Sequence, residues 1–111
     1  MALGELEQMV LLTLARLDGE GHGAAIATEL EERTGRRVSP GALYTVLDRL
    51  QEKACVEAWI GDSTPERGGR RRKVYRLLPA GAREVREWYT GIRELAAGTR
   101  TRLERLAEET R

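Results

Sequence analysis

The first half of the chain is divided into three short stretches by residues that end or begin helices. Gly19 and Gly21 close the first stretch and Gly35 closes the second, as glycine commonly does at a helix end. Ser39-Pro40 then begins a third, because serine caps free backbone amides and proline suits the first helical turn. This pattern predicts a head of three short helices.

The third predicted helix runs to about Lys53 and has two distinct faces. Its apolar residues recur at helical spacing and should point inward; they are Leu43, Val46, Leu47 and Leu50. The opposite face carries Gly41, Thr45, Asp48 and Arg49, with Tyr44 at the boundary. An outward face of small and hydrogen-bonding side chains leaves this helix free to contact another molecule.

The strongest charge feature is a basic segment at residues 67–76, which holds six basic residues and no acidic one. The formal net charge of the whole chain is only +1, and residues 1–35 carry seven acidic residues against two basic ones. This asymmetry predicts that one side of the molecule attracts a polyanion and the other repels it. The basic segment is suited to binding the phosphate backbone of a nucleic acid.

A β-hairpin is predicted around this basic segment. Residues 55–60 and 73–77 have strand composition, and residues 61–69 are typical of a loop. Arginine binds phosphate bidentately and remains charged, so the basic side chains of the hairpin are candidate phosphate ligands. The predicted ligands are Arg70, Arg71, Arg72 and Lys73.

Pro79 begins the last predicted helix, in which Gly91 and Gly98 are weak positions that permit a close helix approach or a bend. Its apolar residues fall near a seven-residue spacing; they are Val85, Trp88, Ile92, Leu95, Leu103 and Leu106. So small a domain cannot cover a helix of this length, and its apolar stripe should pack on a second copy. We therefore predict a mainly α fold with a small β-hairpin: a winged helix-turn-helix at 1–78 and a long dimerisation helix at 79–111.

Composition argues against several classes of function. The 111 residues include one cysteine and one histidine, which leaves no disulfide framework and disfavours a metal site or histidine-based catalysis. No catalytic set or phosphate-binding glycine loop is visible, so we expect neither enzyme activity nor a cofactor. No apolar run is long enough for a signal peptide or membrane span, which predicts a cytoplasmic protein. Cys55 is either a redox sensor or, as we favour, a buried apolar side chain.

Four segments together resemble the PadR family of bacterial transcriptional regulators. They are residues 3–12, His22-Gly23, residues 39–50 and residues 68–77, and the resemblance extends over nearly the whole chain. It implies a homodimeric winged-helix repressor whose third helix enters the major groove and whose wing contacts the DNA backbone or the adjacent minor groove. A single helix after the wing is similar to the shorter PadR subfamily.

These observations predict a sequence-specific regulator that binds a pseudo-palindromic operator in double-stranded DNA. A helix that approaches base edges needs small or hydrogen-bonding residues at its leading end. The residues expected to position or read the groove are Ser39, Gly41, Tyr44, Thr45 and Arg49. The wing would supply most of the affinity, because the third helix has little net charge.

Two other functions stay open at this point. The acidic first third would suit a winged-helix module that binds a partner protein. The family resemblance also implies that aromatic residues of the last helix can line a pore at the dimer interface for a small hydrophobic effector. The residues concerned are Trp88, Tyr89, Ile92 and Leu95, for which simple packing of the dimer is the favoured interpretation.

Overall fold

The computed structural model describes residues 2–61 and 72–109 of the chain. Within these residues the elements in chain order are α1 (Glu5–Arg16), β1 (Glu20–His22), α2 (Gly23–Thr34), α3 (Pro40–Glu52), β2 (Val56–Ile60), β3 (Lys73–Leu77), α4 (Pro79–Ala96) and α5 (Arg100–Ala107). The predicted class, a mainly helical winged helix-turn-helix, is confirmed.

The helix boundaries follow local signals in the sequence. The Ser39 hydroxyl oxygen accepts the amide hydrogen of Ala42 at 3.2 Å and so caps the N-terminus of α3. Gly35 closes α2 with a φ of 74°, a conformation that glycine adopts without steric cost. These two residues fix the turn between α2 and α3.

The core lies between the first three helices, the sheet and the start of α4. All four predicted inward residues of α3 are buried in it. Tyr75 of β3 and Val85 of α4 close the core from the other side, at 1% and 4% exposure. Burial of one large apolar side chain contributes about 1.5 to 3 kcal/mol. The core therefore holds α3 rigidly, with its polar face outward.

The sheet has one strand more than the hairpin we predicted. Glu20–His22 forms β1, and the strands are ordered β1-β3-β2 with antiparallel pairing throughout. The sequence pattern predicts Glu20 and Gly21 at the end of the first helix, because two glycines in four residues stop a helix, and the start of the second helix near His22. The strand conformation of residues 20–22 comes from pairing with β3, which no local pattern encodes.

The C-terminal region forms two helices, where we predicted one. Ala97 leaves the helical conformation with a ψ of 131°, and Gly98 follows with a φ of 77°. A helix cannot pass through a left-handed residue, so α4 ends at Ala96 and α5 begins at Arg100. Gly91, in contrast, stays inside α4.

The first turn of α4 is seated on the start of β2. The amide of Leu78 donates to the carbonyl of Cys55 at 2.9 Å. A Cβ placed on Gly81 would overlap that same carbonyl oxygen, so only glycine allows the approach. This contact sets the direction in which α4 leaves the head.

In the part of the chain that the structure describes, no helix has the length and apolar character needed to cross a membrane. Within residues 2–61 and 72–109 there is also no group of three histidine, cysteine or acidic residues placed to hold a metal ion.

Candidate nucleic-acid interface

The outer face of α3 exposes most of the side chains predicted to meet a groove. Ser39, Gly41, Thr45 and Arg49 are all exposed. The Thr45 hydroxyl donates to the carbonyl of Gly41 at 2.9 Å, and its oxygen keeps lone pairs that can accept a further hydrogen bond. The Ser39 oxygen is occupied by its capping bond, so its first role is structural.

The side chain of Tyr44, in α3, extends to the start of α2 and remains 44% exposed. A Cβ added to Gly23 would come within 2.5 Å of the Tyr44 hydroxyl oxygen and 2.8 Å of the ring carbon that bears it. The ring therefore rests on the bare backbone of Gly23. This contact holds the hydroxyl at the edge of the exposed α3 face and ties α3 to α2.

The two basic residues near the end of α3 have different surroundings. Arg49 is exposed on the outer face. Lys53 turns back to the head instead, where its ammonium group lies 2.8 Å from a carboxylate oxygen of Glu7. Only Arg49 of this pair is placed to contact a bound molecule.

The structure describes two of the four predicted phosphate ligands of the wing. Arg70 and Arg71 lie outside the described residues. The guanidinium of Arg72 packs against the imidazole of His22 at 3.3–3.4 Å. Lys73 is exposed, with its ammonium 5.7 Å from the centre of the Tyr75 ring. The strand thus starts with two positive side chains close to the helical head.

Arg76, the last basic residue of the segment, is neutralised by its neighbours. It lies between Glu20 of β1 and Glu57 of β2, at 3.6 and 3.2 Å from their carboxylate oxygens. Its guanidinium also stacks on Trp59, 4.6 Å from the ring centre. Arg76 therefore adds little net positive charge to the described part of the wing.

The sequence reasoning missed His22, which belongs to this site. His22 Nδ1 accepts the amide hydrogen of Ala25 at 3.1 Å and caps α2, and the same ring meets Arg72. A lone histidine before Gly23 at a helix start is a signal for the cap. The contact with Arg72 depends on β1 pairing with β3, and could not be found without that strand.

Acidic side chains of α1 and α2 form ion pairs with arginines of the head. Glu29 bridges Arg16 and Arg33, and Glu5 pairs with Arg36. These exposed pairs add little stability, since such pairs are worth about 0 to 1 kcal/mol. They offset part of the negative charge of α1 and α2.

The predicted interface residues of the last helix divide into one packed and three exposed side chains. Trp88 packs against the core. Tyr89, Ile92 and Leu95 are 47%, 47% and 79% exposed. An apolar recess of about 240 Å³ opens beside them between α1 and α4. Its lining residues are Leu12, Ala15, Leu77, Ala82, Val85, Arg86 and Tyr89.

Cys55 is fully buried at the start of β2. Burial raises the pKa of its thiol, and the carboxylates of Glu84 and Glu7 raise it further, while Lys53 lowers it. A buried thiol with a raised pKa is a poor nucleophile. These surroundings favour the packing interpretation of Cys55 over a redox sensor.

Comparison with known proteins relates this architecture to one family. The model of the transcriptional regulator PadR-like family matches residues 10–87. The transcriptional regulator Rv3488 of Mycobacterium tuberculosis is 42% identical over 81 residues, which cover 71% of this chain and 69% of the relative.

Solved structures share the fold. A PadR-like transcriptional regulator from Bacillus cereus superposes with a TM-score of 0.67 at 23% identity, covering 95% of this chain and 93% of its own. Bacillus subtilis PadR, solved in complex with operator DNA, superposes with a TM-score of 0.65 at 21% identity. The match covers 76% of this chain and 47% of that PadR chain.

Proposed function

This chain belongs to the PadR-like family of transcriptional regulators, and we propose that it is a homodimeric repressor that binds a pseudo-palindromic operator in double-stranded DNA. Membership of a regulator family also confirms the expectation that the chain is not an enzyme. The finer parts of the proposal are the DNA contacts, the dimer and the repressor role.

The observation that carries the proposal is the position of α3 beside the wing. The core holds the apolar face of α3, so its small and polar side chains face outward together. Arg72 lies against His22 at the start of α2, and Lys73 lies beside the buried ring of Tyr75. Bacillus subtilis PadR, which shares this fold, has been solved in complex with operator DNA, and this supports a DNA-binding function for the present chain.

In the proposed complex the two elements have different tasks. Residues at the leading end of α3 lie in the major groove, where small side chains let the backbone approach base edges. These residues are Ser39, Gly41, Tyr44, Thr45 and Arg49. The wing binds phosphates through Arg70, Arg71, Arg72 and Lys73, which supplies affinity without reading sequence.

The dimer is proposed from the apolar stripe of the C-terminal helices. Tyr89, Ile92 and Leu95 of α4 are exposed in one chain, as are Leu103 and Leu106 of α5. The recess between α1 and α4 continues this apolar surface. A second copy would cover the whole stripe and place two α3 helices about 34 Å apart, one turn of DNA.

A small hydrophobic effector is a further candidate partner at this interface. Trp88 packs against the core of its own chain, which supports a role in packing rather than in lining a pore. The exposed Tyr89, Ile92 and Leu95 are the residues an effector would meet between two copies.

The proposal is tested by the salt dependence of DNA binding. Changing Arg70, Arg71, Arg72 and Lys73 together to alanine should reduce the slope of log affinity against log salt by about 3 to 4 units, because each phosphate contact contributes about 0.9. A control with Arg16→Ala and Arg33→Ala removes positive charge from the acidic side of the head. The control should keep the wild-type slope, and an unchanged slope in the wing variant would reject the phosphate role.

A further inference from the structure

The contact between Arg72 and His22 has a specific geometry. Nη1 of Arg72 lies 3.4 Å from Nδ1 and 3.3 Å from Nε2 of the imidazole. An atom in the plane of the ring cannot be this close to both nitrogens without overlapping a ring carbon. The guanidinium therefore lies over the face of the ring, as in a cation–π contact.

His22 is also part of the helix-turn-helix. It ends β1 and caps α2, where its Nδ1 accepts the amide hydrogen of Ala25. A nitrogen that accepts a hydrogen bond carries no proton, so this arrangement contains the neutral imidazole. One side chain thus joins the root of the wing to the first residues of α2.

The partner of Arg72 differs in charge from the partners of Arg76. Arg76 meets two carboxylates, which cancel its charge. Within residues 2–61 and 72–109, no acidic side chain forms an ion pair with Arg72, and its ring partner is neutral. Stacking on a neutral ring restricts the arginine rotamers and leaves the positive charge available to a phosphate.

Resting on the proposed DNA-binding function, we propose that His22 is a positioning residue for the wing. Its ring holds Arg72 in place for a DNA phosphate and couples that contact to the N-terminus of α2. His22 itself need not touch DNA. Because the Arg72 side chain is already ordered before DNA binds, binding does not lose the conformational entropy of that side chain.

Protonation of His22 would undo this arrangement. An imidazolium has no acceptor for the Ala25 amide and repels the guanidinium above it. Among the described strand residues, the charged groups on the same face of the sheet are Glu20 on β1, Glu57 on β2 and Arg76 on β3, as the strand register shows. Arg76 lies between the two glutamates, whereas Arg72 contacts the ring of His22 directly, so of these two arginines Arg72 would respond more strongly to protonation of His22.

A double-mutant cycle on the full chain tests the proposal. The probe is a DNA duplex selected from a random pool by the wild-type protein, and the variants are His22→Asn, Arg72→Ala and both together. Asparagine keeps an acceptor for the cap but offers no ring. At about pH 8 we expect Arg72→Ala to weaken binding at least about two-fold more in the wild-type background than beside His22→Asn, the size expected of contacting residues.

Two further measurements separate positioning from a merely structural role. Arg76→Ala, on the same face but paired to carboxylates, should show no coupling to His22→Asn. At about pH 5, below the range in which an imidazole is neutral, the coupling of His22 and Arg72 should vanish or reverse. Equal effects of Arg72→Ala in both backgrounds, or coupling that does not change with pH, would overturn the proposal. If the wild-type chain selects no duplex, the proposed function fails instead.

Discussion

Glu7 joins three parts of the head through one buried carboxylate. One oxygen accepts the backbone amide hydrogen of Gly4 at 2.9 Å, and the other lies 2.8 Å from the ammonium of Lys53. Burial by itself would raise the pKa of Glu7, but the hydrogen bonds from Lys53 and Gly4 and the charges of Lys53 and Arg49 outweigh it and lower the pKa. Glu7 thereby fixes the start of α1 to the end of α3.

We predict that Glu7→Gln lowers the free energy of unfolding by about 1 to 3 kcal/mol at pH 7, the cost of breaking a partly buried charged hydrogen bond. Because the pKa is lowered by folding, this stabilisation is complete above the ordinary glutamate range near pH 4.3 and is lost as the pH falls through the folded value. Thermal unfolding from pH 7 to pH 3 measures both effects.

The matched control is Glu5→Gln. Glu5 lies two residues before Glu7 in α1, and its substitution breaks an exposed ion pair with Arg36. It should change the stability by less than about 0.5 kcal/mol. Equal losses in the two variants, or a Glu7→Gln loss that persists unchanged at pH 3, would contradict this role of Glu7.

At the scale of elements, the seat of α4 on β2 depends on Gly81. Its missing side chain lets α4 approach the carbonyl of Cys55, which is backbone and cannot turn away. The same approach lets Leu78 donate its amide to that carbonyl and so helps start α4, whose N-cap side chain makes no capping bond.

We predict that Gly81→Ala destabilises the fold by about 1 to 3 kcal/mol, as overpacking of a well-filled contact does. Gly41→Ala is the control, since a Cβ there meets nothing within 4 Å. Denaturant unfolding without DNA should show the first variant weakened and the second unchanged or slightly more stable. A neutral Gly81→Ala would mean that α4 shifts freely on the sheet.

Elements defined by local chemistry could be predicted from the sequence, and those created by tertiary pairing could not. Ser39-Pro40 begins α3 and Gly35 ends α2 because each acts on adjacent backbone groups. β1 exists only because residues 20–22 pair with β3 more than fifty residues later. Gly91 and Gly98 both weaken the last predicted helix, but only Gly98 lies at its break, because a glycine by itself does not distinguish a bend from a position that the helix tolerates.

The candidate site divides in the same way. The outward residues of α3 follow from its helical period once its inner face is known. The contacts of Arg72 and Arg76 do not follow from the sequence, because both depend on strand register. Two residues from one run of basic residues thus have different environments: Arg76 lies between two carboxylates, and Arg72 lies against a histidine ring.

At the scale of the whole molecule, an uncovered apolar stripe runs along α4 and α5. We predict that Ile92→Glu with Leu95→Glu lowers the dimer association constant at least about ten-fold, a change of 1.4 kcal/mol. The cause is the cost of burying carboxylates in an apolar interface. Sedimentation equilibrium of the variant and the wild type measures it.

Thr90→Glu is the matched control, because Thr90 is exposed and lies two positions before Ile92, on the opposite side of a helix with 3.6 residues per turn. It should dimerise as the wild type does. A wild-type chain that stays monomeric at high concentration, or a stripe variant that dimerises normally, would rule out this stripe as the interface.

Selection of double-stranded DNA from a random pool by the full chain tests the central claim most directly. Two copies joined through α4 and α5, each with one α3 and one wing, predict an enriched motif with two-fold symmetry. Its half-sites should lie about one helical turn, roughly 34 Å, apart. Enrichment of no motif, together with weak binding that is insensitive to salt, would contradict the assignment of α3 and the wing as a DNA interface.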